Sequence, residues 1–116
     1  MSLSRSQLKS LNTLVPAERL FLKPEQCIAY SYDNSRLQQI PAEVILAKSE
    51  PEIAATVAWC HQHKIPLTCR GRGTGTTGAA VPEIGGIVLS LEQMDRIIKV
   101  DPANRVIVVE PGVTNQ

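Results

Sequence analysis

Four glycines fall within eight residues in the stretch Arg70-Gly71-Arg72-Gly73-Thr74-Gly75-Thr76-Thr77-Gly78. The stretch directly follows a short strand-like run, Pro66-Leu67-Thr68-Cys69. No other segment restricts the fold as strongly. Glycine tolerates positive backbone angles and puts no side chain in the way of a close neighbour, so this segment reads as an irregular loop at the end of a strand. A simple turn needs one or two glycines, not four. Successive backbone N–H groups in such a loop can converge into a concave anion site. Thr74, Thr76 and Thr77 add hydroxyl donors, and Arg70 and Arg72 add positive charge. Hydrogen bonds to a charged phosphate contribute roughly 1.5–3 kcal/mol each, so several together could hold a diphosphate.

Two known phosphate motifs match part of this loop and lose their key feature. Gly73-Thr74-Gly75-Thr76-Thr77-Gly78 fits G-x-G-x-x-G by letter, but a dinucleotide fold of that kind opens a helix there. The following residues, Ala79-Ala80-Val81-Pro82-Glu83-Ile84-Gly85-Gly86, leave no room for one. Glu92 and Asp95 follow a strand in a polar turn and are weak candidates for ribose recognition. A nucleotide-triphosphate loop requires a lysine after its last glycine, and Ala79 and Ala80 stand there.

Around the loop the chain alternates. Val44-Ile45-Leu46 lies in a short apolar strand over Ala42–Ala47, as expected where both faces are covered. Ser49 and Glu52 form a capping-box pattern with Pro51 in the first turn, opening a helix to about His61. Its expected core side carries Ile53, Ala54, Val57, Ala58 and His61 at helical spacing. Strand, helix and strand with short connections predict a parallel crossover unit. Gly86–Leu91 forms a further strand. Ile97–Val100 and Arg105–Glu110 pair as a hairpin across Asp101-Pro102-Ala103-Asn104. Residues 1–40 read as a helical lead-in of short pieces. Ser4 or Ser6 caps the first, Pro16 and Pro24 restart the chain, and Tyr30–Ser35 is a polar exit. The fold class is α/β (α+β), a small mixed sheet with flanking helices.

The chain has 116 residues with 43% hydrophobic and 20% charged, a globular composition sufficient for one domain. A net charge of +1 and 3% aromatics carry no footprint for nucleic acid. No apolar run approaches the ~20 residues of a membrane span, and Met1 to Arg5 lead into no secretory core. A cytoplasmic setting follows, with any membrane contact made through partners. Three cysteines, Cys27, Cys60 and Cys69, do not suggest a disulfide framework and read as buried free thiols. Cys60-His61-Gln62-His63 lacks zinc spacing. Asp33, Glu43 and Glu83 form no acid–base pair. Trp59 sits off the helix's apolar line and is expected to pack on the lead-in or on a separate domain.

With these motifs in order, the sequence resembles the FAD-binding domain of the p-cresol methylhydroxylase and vanillyl-alcohol oxidase superfamily. It is most similar to the glycolate oxidase flavin subunit and D-lactate dehydrogenase branch. The residues carrying the resemblance are Pro66–Cys69, Arg70–Gly78, Gly86–Leu91, Met94-Asp95-Arg96-Ile97, Val100-Asp101 and Val109-Glu110-Pro111-Gly112-Val113, with Tyr32-Asp33 in the lead-in. It covers residues 41–116, which would be the N-terminal half of such a domain.

The resemblance implies that Arg70, Gly71, Arg72, Gly73, Thr74, Gly75, Thr76, Thr77 and Gly78 wrap the FAD pyrophosphate, mostly through backbone N–H groups. Pro111, Gly112 and Val113 then approach the cofactor. Some relatives attach the flavin covalently through a histidine in this loop. Thr74 stands at the matching position, which implies non-covalent FAD. Arg72 replaces a small residue and is expected to point to solvent or to phosphate.

The implied parent is a longer flavin-dependent oxidoreductase that oxidises a small 2-hydroxy acid and passes electrons to an acceptor, including electron-acceptor subunits. Its catalytic and substrate residues are expected after Gln116, and the stretch 1–116 alone is expected to be inactive. No catalytic or metal-ligating residue is nominated within it. A non-catalytic phosphate- or nucleotide-binding module, and a scaffold that self-associates over uncovered sheet edges, are the alternatives.

Overall fold

The computed structural model describes residues 3–114. Helix α1 (Arg5–Leu11) is capped by Ser4, whose Oγ accepts from the Gln7 N–H while Gln7 Oε1 accepts from the Ser4 N–H. After a short 3-10 turn at Ala17–Arg19 comes β1 (Leu20–Phe21), then α2 (Pro24–Cys27). Strand β2 (Glu43–Leu46), helix α3 (Glu50–His63), β3 (Leu67–Arg70) and β4 (Ile87–Ser90) follow. The hairpin β5 (Ile97–Asp101) and β6 (Val106–Val109) completes the set.

The first four strands form one mixed sheet in the order β1-β2-β4-β3, with β1 antiparallel and the other neighbours parallel. The expected strand–helix–strand unit is present, but its two strands are not neighbours. Strand β4 lies between them. Lead-in residues expected to be purely helical also contribute β1, which pairs Leu20 with Ile45 and Phe21 with Val44.

Alternation along the strands splits the core in two, as period-2 side-chain geometry requires. Ile45, Ile87 and Leu89 face α1 and α3, packing with Leu11, Val15, Trp59 and Cys60. Val44, Leu46 and Val88 face the other way, onto Cys27, Phe21 and Tyr30. All of β2 and β4 is buried, which explains their unbroken apolar runs. Strand β3 is an edge, so Cys69 is exposed, whereas Cys27 and Cys60 are buried. The expectation of three buried thiols fails at Cys69 for that reason.

Helix α3 turns a different face inward from the one its apolar spacing suggested. Thr56, Trp59 and Cys60 are buried, while Ala54, Val57, Ala58 and His61 are exposed. The largest side chain decides the rotation. The Trp59 ring packs on the lead-in, and its Nε1–H donates to Ser10 Oγ at 3.1 Å.

The helix start is also modified. Ser49 Oγ accepts from the Glu52 N–H at 3.4 Å, but Glu52 does not complete the box at Ser49. Its carboxylate accepts from the Lys48 N–H and receives two 2.6 Å bonds from Arg19. Arg19 also donates to the Leu46 carbonyl. The pair thus ties the lead-in to β2 and to the start of α3.

The hairpin stands apart. Its own two-stranded sheet leaves Ile97, Ile98, Val100, Val106, Ile107, Val108 and Val109 each at least 42% exposed. A radius of gyration of 15.1 Å exceeds the roughly 13 Å of a compact chain this long, as a projecting hairpin would produce. No helix among the described residues is long and apolar enough to cross a membrane.

Hydrogen bonds from Arg19 hold the Glu52 carboxyl below the usual carboxylate range. Its contribution to stability is therefore complete above the unfolded value of about 4.3 and is lost as pH falls through the lowered folded value. Replacing Glu52→Gln should cost about 1–3 kcal/mol at neutral pH. Urea unfolding of both proteins should show that difference shrinking on acidification below pH 4.

Candidate functional site

The parallel pair β3 and β4 is connected by residues 71–86. Parallel neighbours usually need a helix for this crossing. Here the glycine-rich loop makes it. The loop leaves the carboxyl end of β3, the side of a parallel sheet where ligands bind. After it come turns joining Val81 to Gly78, Glu83 to Val81 and Gly85 to Pro82. No helix opens there among the described residues, so the G-x-G-x-x-G match by letter lacks its helix in space, and the triphosphate motif, already without its lysine, lacks one too.

Arg70 organises the base of the loop. Its side chain is buried, donates from Nη1 to the Tyr32 carbonyl at 3.1 Å, and lies over the Tyr30 ring at 5.4 Å. The Tyr30 hydroxyl donates to the Glu92 carboxylate. Burial and that bond push the Tyr30 hydroxyl pKa well up, with Arg70 opposing. Gly73 has a φ of +72°, and a Cβ there would sit 1.6 Å from Arg70 Nη2. The guanidinium therefore lies against the loop at Gly73. No carboxylate among the described residues forms an ion pair with it.

Arg72 points to neither solvent alone nor a free cleft. Its Nε donates to the Gly112 carbonyl at 2.9 Å. Gly71 lies close to the Pro111 carbonyl, 3.4 Å from where its Cβ would be. The two segments nominated from sequence, Arg70–Gly78 and Pro111–Val113, thus meet. Gly112 also packs closely on a third segment, residues 91–94. Any Cβ would fall within 2.6–2.8 Å of the Leu91, Glu92 and Met94 carbonyl oxygens. The Gly112 N–H already donates to Met94 at 2.7 Å.

The donors remain available. No backbone N–H from Arg72 to Thr77 donates to a protein acceptor among the described residues, and the Thr74, Thr76 and Thr77 hydroxyls make no hydrogen bond among them either. All three threonines are exposed. On the carbonyl side, Asn34 binds Gly75 and Thr74. That contact joins lead-in to loop across forty residues of sequence. Its one signal in the sequence was the polar turn at Tyr30–Ser35.

These donors suit an anion, and residues 41–116 match the family profile described as an FAD binding domain. The chain belongs to this family. It is 33% identical to the glycolate oxidase subunit GlcD of Escherichia coli, over 95% of this chain and 22% of that protein. It is 40% identical to a D-lactate dehydrogenase of Anaerostipes hadrus, over 63% of this chain and 15% of that protein. A crystal structure of p-cresol methylhydroxylase with substrate bound superposes with a TM-score of 0.79 at 26% identity, over 97% of this chain and 24% of that one. The chain therefore spans about a fifth of the length of these relatives. Its mixed sheet and flanking helices are those of a PCMH-type FAD-binding domain.

Outside this region, Cys60 is buried on α3, His61 is exposed, and His63 stacks on Trp59 with centroids 4.2 Å apart. Among the described residues no group of three or more His, Cys, Asp or Glu is placed to hold a metal.

The packing at Gly112 generates a test. Gly112→Ala should destabilise the protein by about 1–3 kcal/mol, the range for inserting a methyl group where none fits. Thermal and urea unfolding would measure it. A loss under 0.5 kcal/mol would mean that the turn can move away from residues 91–94.

Proposed function

We propose that Arg70–Gly78 and Pro111–Val113 hold the pyrophosphate of non-covalently bound FAD in a flavin-dependent oxidoreductase that oxidises a small 2-hydroxy acid. One observation carries the reading. N–H groups from Arg72 to Thr77 are uncommitted, and Gly73 within this run lies against a buried arginine that has no carboxylate partner among the described residues. Burying a cation without a counter-charge is costly, and an anion seated on the loop would offset that cost. The residues therefore fit a diphosphate. Main-chain amides of Gly73 to Thr77 and the threonine hydroxyls would hold the oxygens, while Arg70 supports the loop from beneath and supplies charge through it.

Bound FAD supplies two-electron redox chemistry, and the protein supplies orientation and electrostatics. Thr74 offers no ring nitrogen for a covalent flavin link, which supports reversible binding. The relatives named as a glycolate oxidase subunit and a D-lactate dehydrogenase support the 2-hydroxy acid as substrate class. Residues 1–40 would serve as a lead-in that braces the loop, and residues 41–116 as the cofactor-binding part. The uncovered hairpin would pack against further parts of a longer parent, where substrate and electron-acceptor subunits are engaged in the cytoplasm.

Titrating FAD into the protein and following flavin fluorescence tests the anchor. ADP should compete, and riboflavin, which lacks the phosphates, should bind far more weakly. Gly73→Val places branched carbons where the Arg70 guanidinium lies and at a positive φ, and should weaken FAD at least 100-fold while far-ultraviolet circular dichroism is retained. Equal affinity for riboflavin and FAD, or unchanged binding by Gly73→Val, would remove the loop from the cofactor site.

A further inference from the structure

The geometry points to Asp33 and Asn34 as positioning residues, a clasp that fixes the glycine loop in its binding conformation before any ligand arrives. The inference deepens the FAD reading and rests on it only for the identity of the ligand.

Asn34 grips the loop from its carbonyl side. Its backbone N–H donates to the Gly75 carbonyl at 2.8 Å, and its Nδ2 donates to the Thr74 carbonyl at 3.2 Å. These two bonds hold successive peptide groups in the middle of the loop. Asp33 lies one residue earlier and is 5% exposed. Its Oδ1 accepts from the Ser35 N–H at 2.7 Å, closing a local turn that presents Asn34. Oδ2 is buried, with no partner at full hydrogen-bond geometry, and lies 4.0 Å from where a Gly75 Cβ would be. The Ser35 contacts, with smaller help from the N–H groups of Ala80 and Gly78, hold this carboxyl below the usual range. The carboxylate therefore faces both the middle of the loop and its returning limb.

Asp33 does not contact the ligand in this arrangement. A carboxylate exposed to a diphosphate would repel it, and this one is enclosed beneath the loop. The clasp is itself held from below, because Arg70 donates to the carbonyl of Tyr32, the preceding residue. Asn34 thus engages carbonyls while the N–H groups from Arg72 to Thr77 stay free of protein acceptors. A glycine-rich segment loses more conformational freedom on ordering than any other. A loop already ordered avoids that loss at the moment of binding, which raises affinity without adding a ligand contact.

The test separates the clasp from the ligand. Backbone 15N order parameters of the ligand-free protein should be near ~0.85 across residues 74–80, as in rigid backbone, and should fall below ~0.6 in Asp33→Ala. Amides of β2 and β4 should be unchanged. Asn34→Ala, at an exposed position, should loosen the same residues less. Asp33→Asn keeps an acceptor for Ser35 and should restore most of the order. FAD affinity should fall about tenfold in Asp33→Ala and follow loop order across the series. An unaltered loop in both alanine variants overturns the clasp, as does a loop already mobile in the unmodified protein. If Asp33→Ala does not fold, Asn34→Ala decides by the same readout. Loop order that depends on these residues in a protein with no affinity for FAD would support the clasp and overturn the cofactor reading.

Discussion

Arg70 leaves the end of β3 as a buried cation, and the surrounding segments are arranged around its guanidinium. Gly73 passes so close that a Cβ there would displace the guanidinium. Tyr30 stacks beneath, and the Tyr32 carbonyl accepts one of its N–H groups. Lead-in, sheet and loop are therefore joined at one charged side chain. Such a group is stable inside a protein only where hydrogen bonds, ring faces and opposite charge together offset its lost hydration. Two of these come from the protein itself. The third is the role assigned to the ligand.

The sheet order makes this arrangement possible. Placing β4 between β2 and β3 leaves β3 at an edge and requires residues 71–86 to cross between parallel neighbours. A helix there would have consumed its N–H groups internally, apart from those of its first turn. An irregular crossing leaves successive amides free, and the β2–β4 pairing, buried on both faces, supplies the rigid base. The hairpin contrasts with this base. Arg96 and Glu110 bond to each other and close its base, and the Gly112 to Met94 bond continues that pairing to the buried Met94, yet its branched side chains stay exposed. Exposed apolar surface of this kind marks a contact face.

Much of this was legible from residue order. Strand positions followed from apolar runs because β2 and β4 are buried on both faces. The glycine loop and the 111–113 turn were both nominated, and they meet. Helix α3 was placed but rotated, because spacing counts apolar positions equally while packing favours the large Trp59 ring. Arg72 was expected at solvent or phosphate; it is exposed, and its Nε also binds a carbonyl forty residues away. Asp33 gave no sign of its role, since an isolated acid in a polar turn has many possible partners.

Local chemistry set what the sequence determined alone: which segments extend, which coil, where a helix is capped, and where a backbone could approach a phosphate. These depend on side-chain shape and on hydrogen bonds within a few residues. Tertiary structure decided which strands are neighbours, which side of α3 faces inward, and which arginines and acids support the loop. Those outcomes depend on contacts between residues far apart in the chain. Their energies exist only once the sheet has brought the partners together.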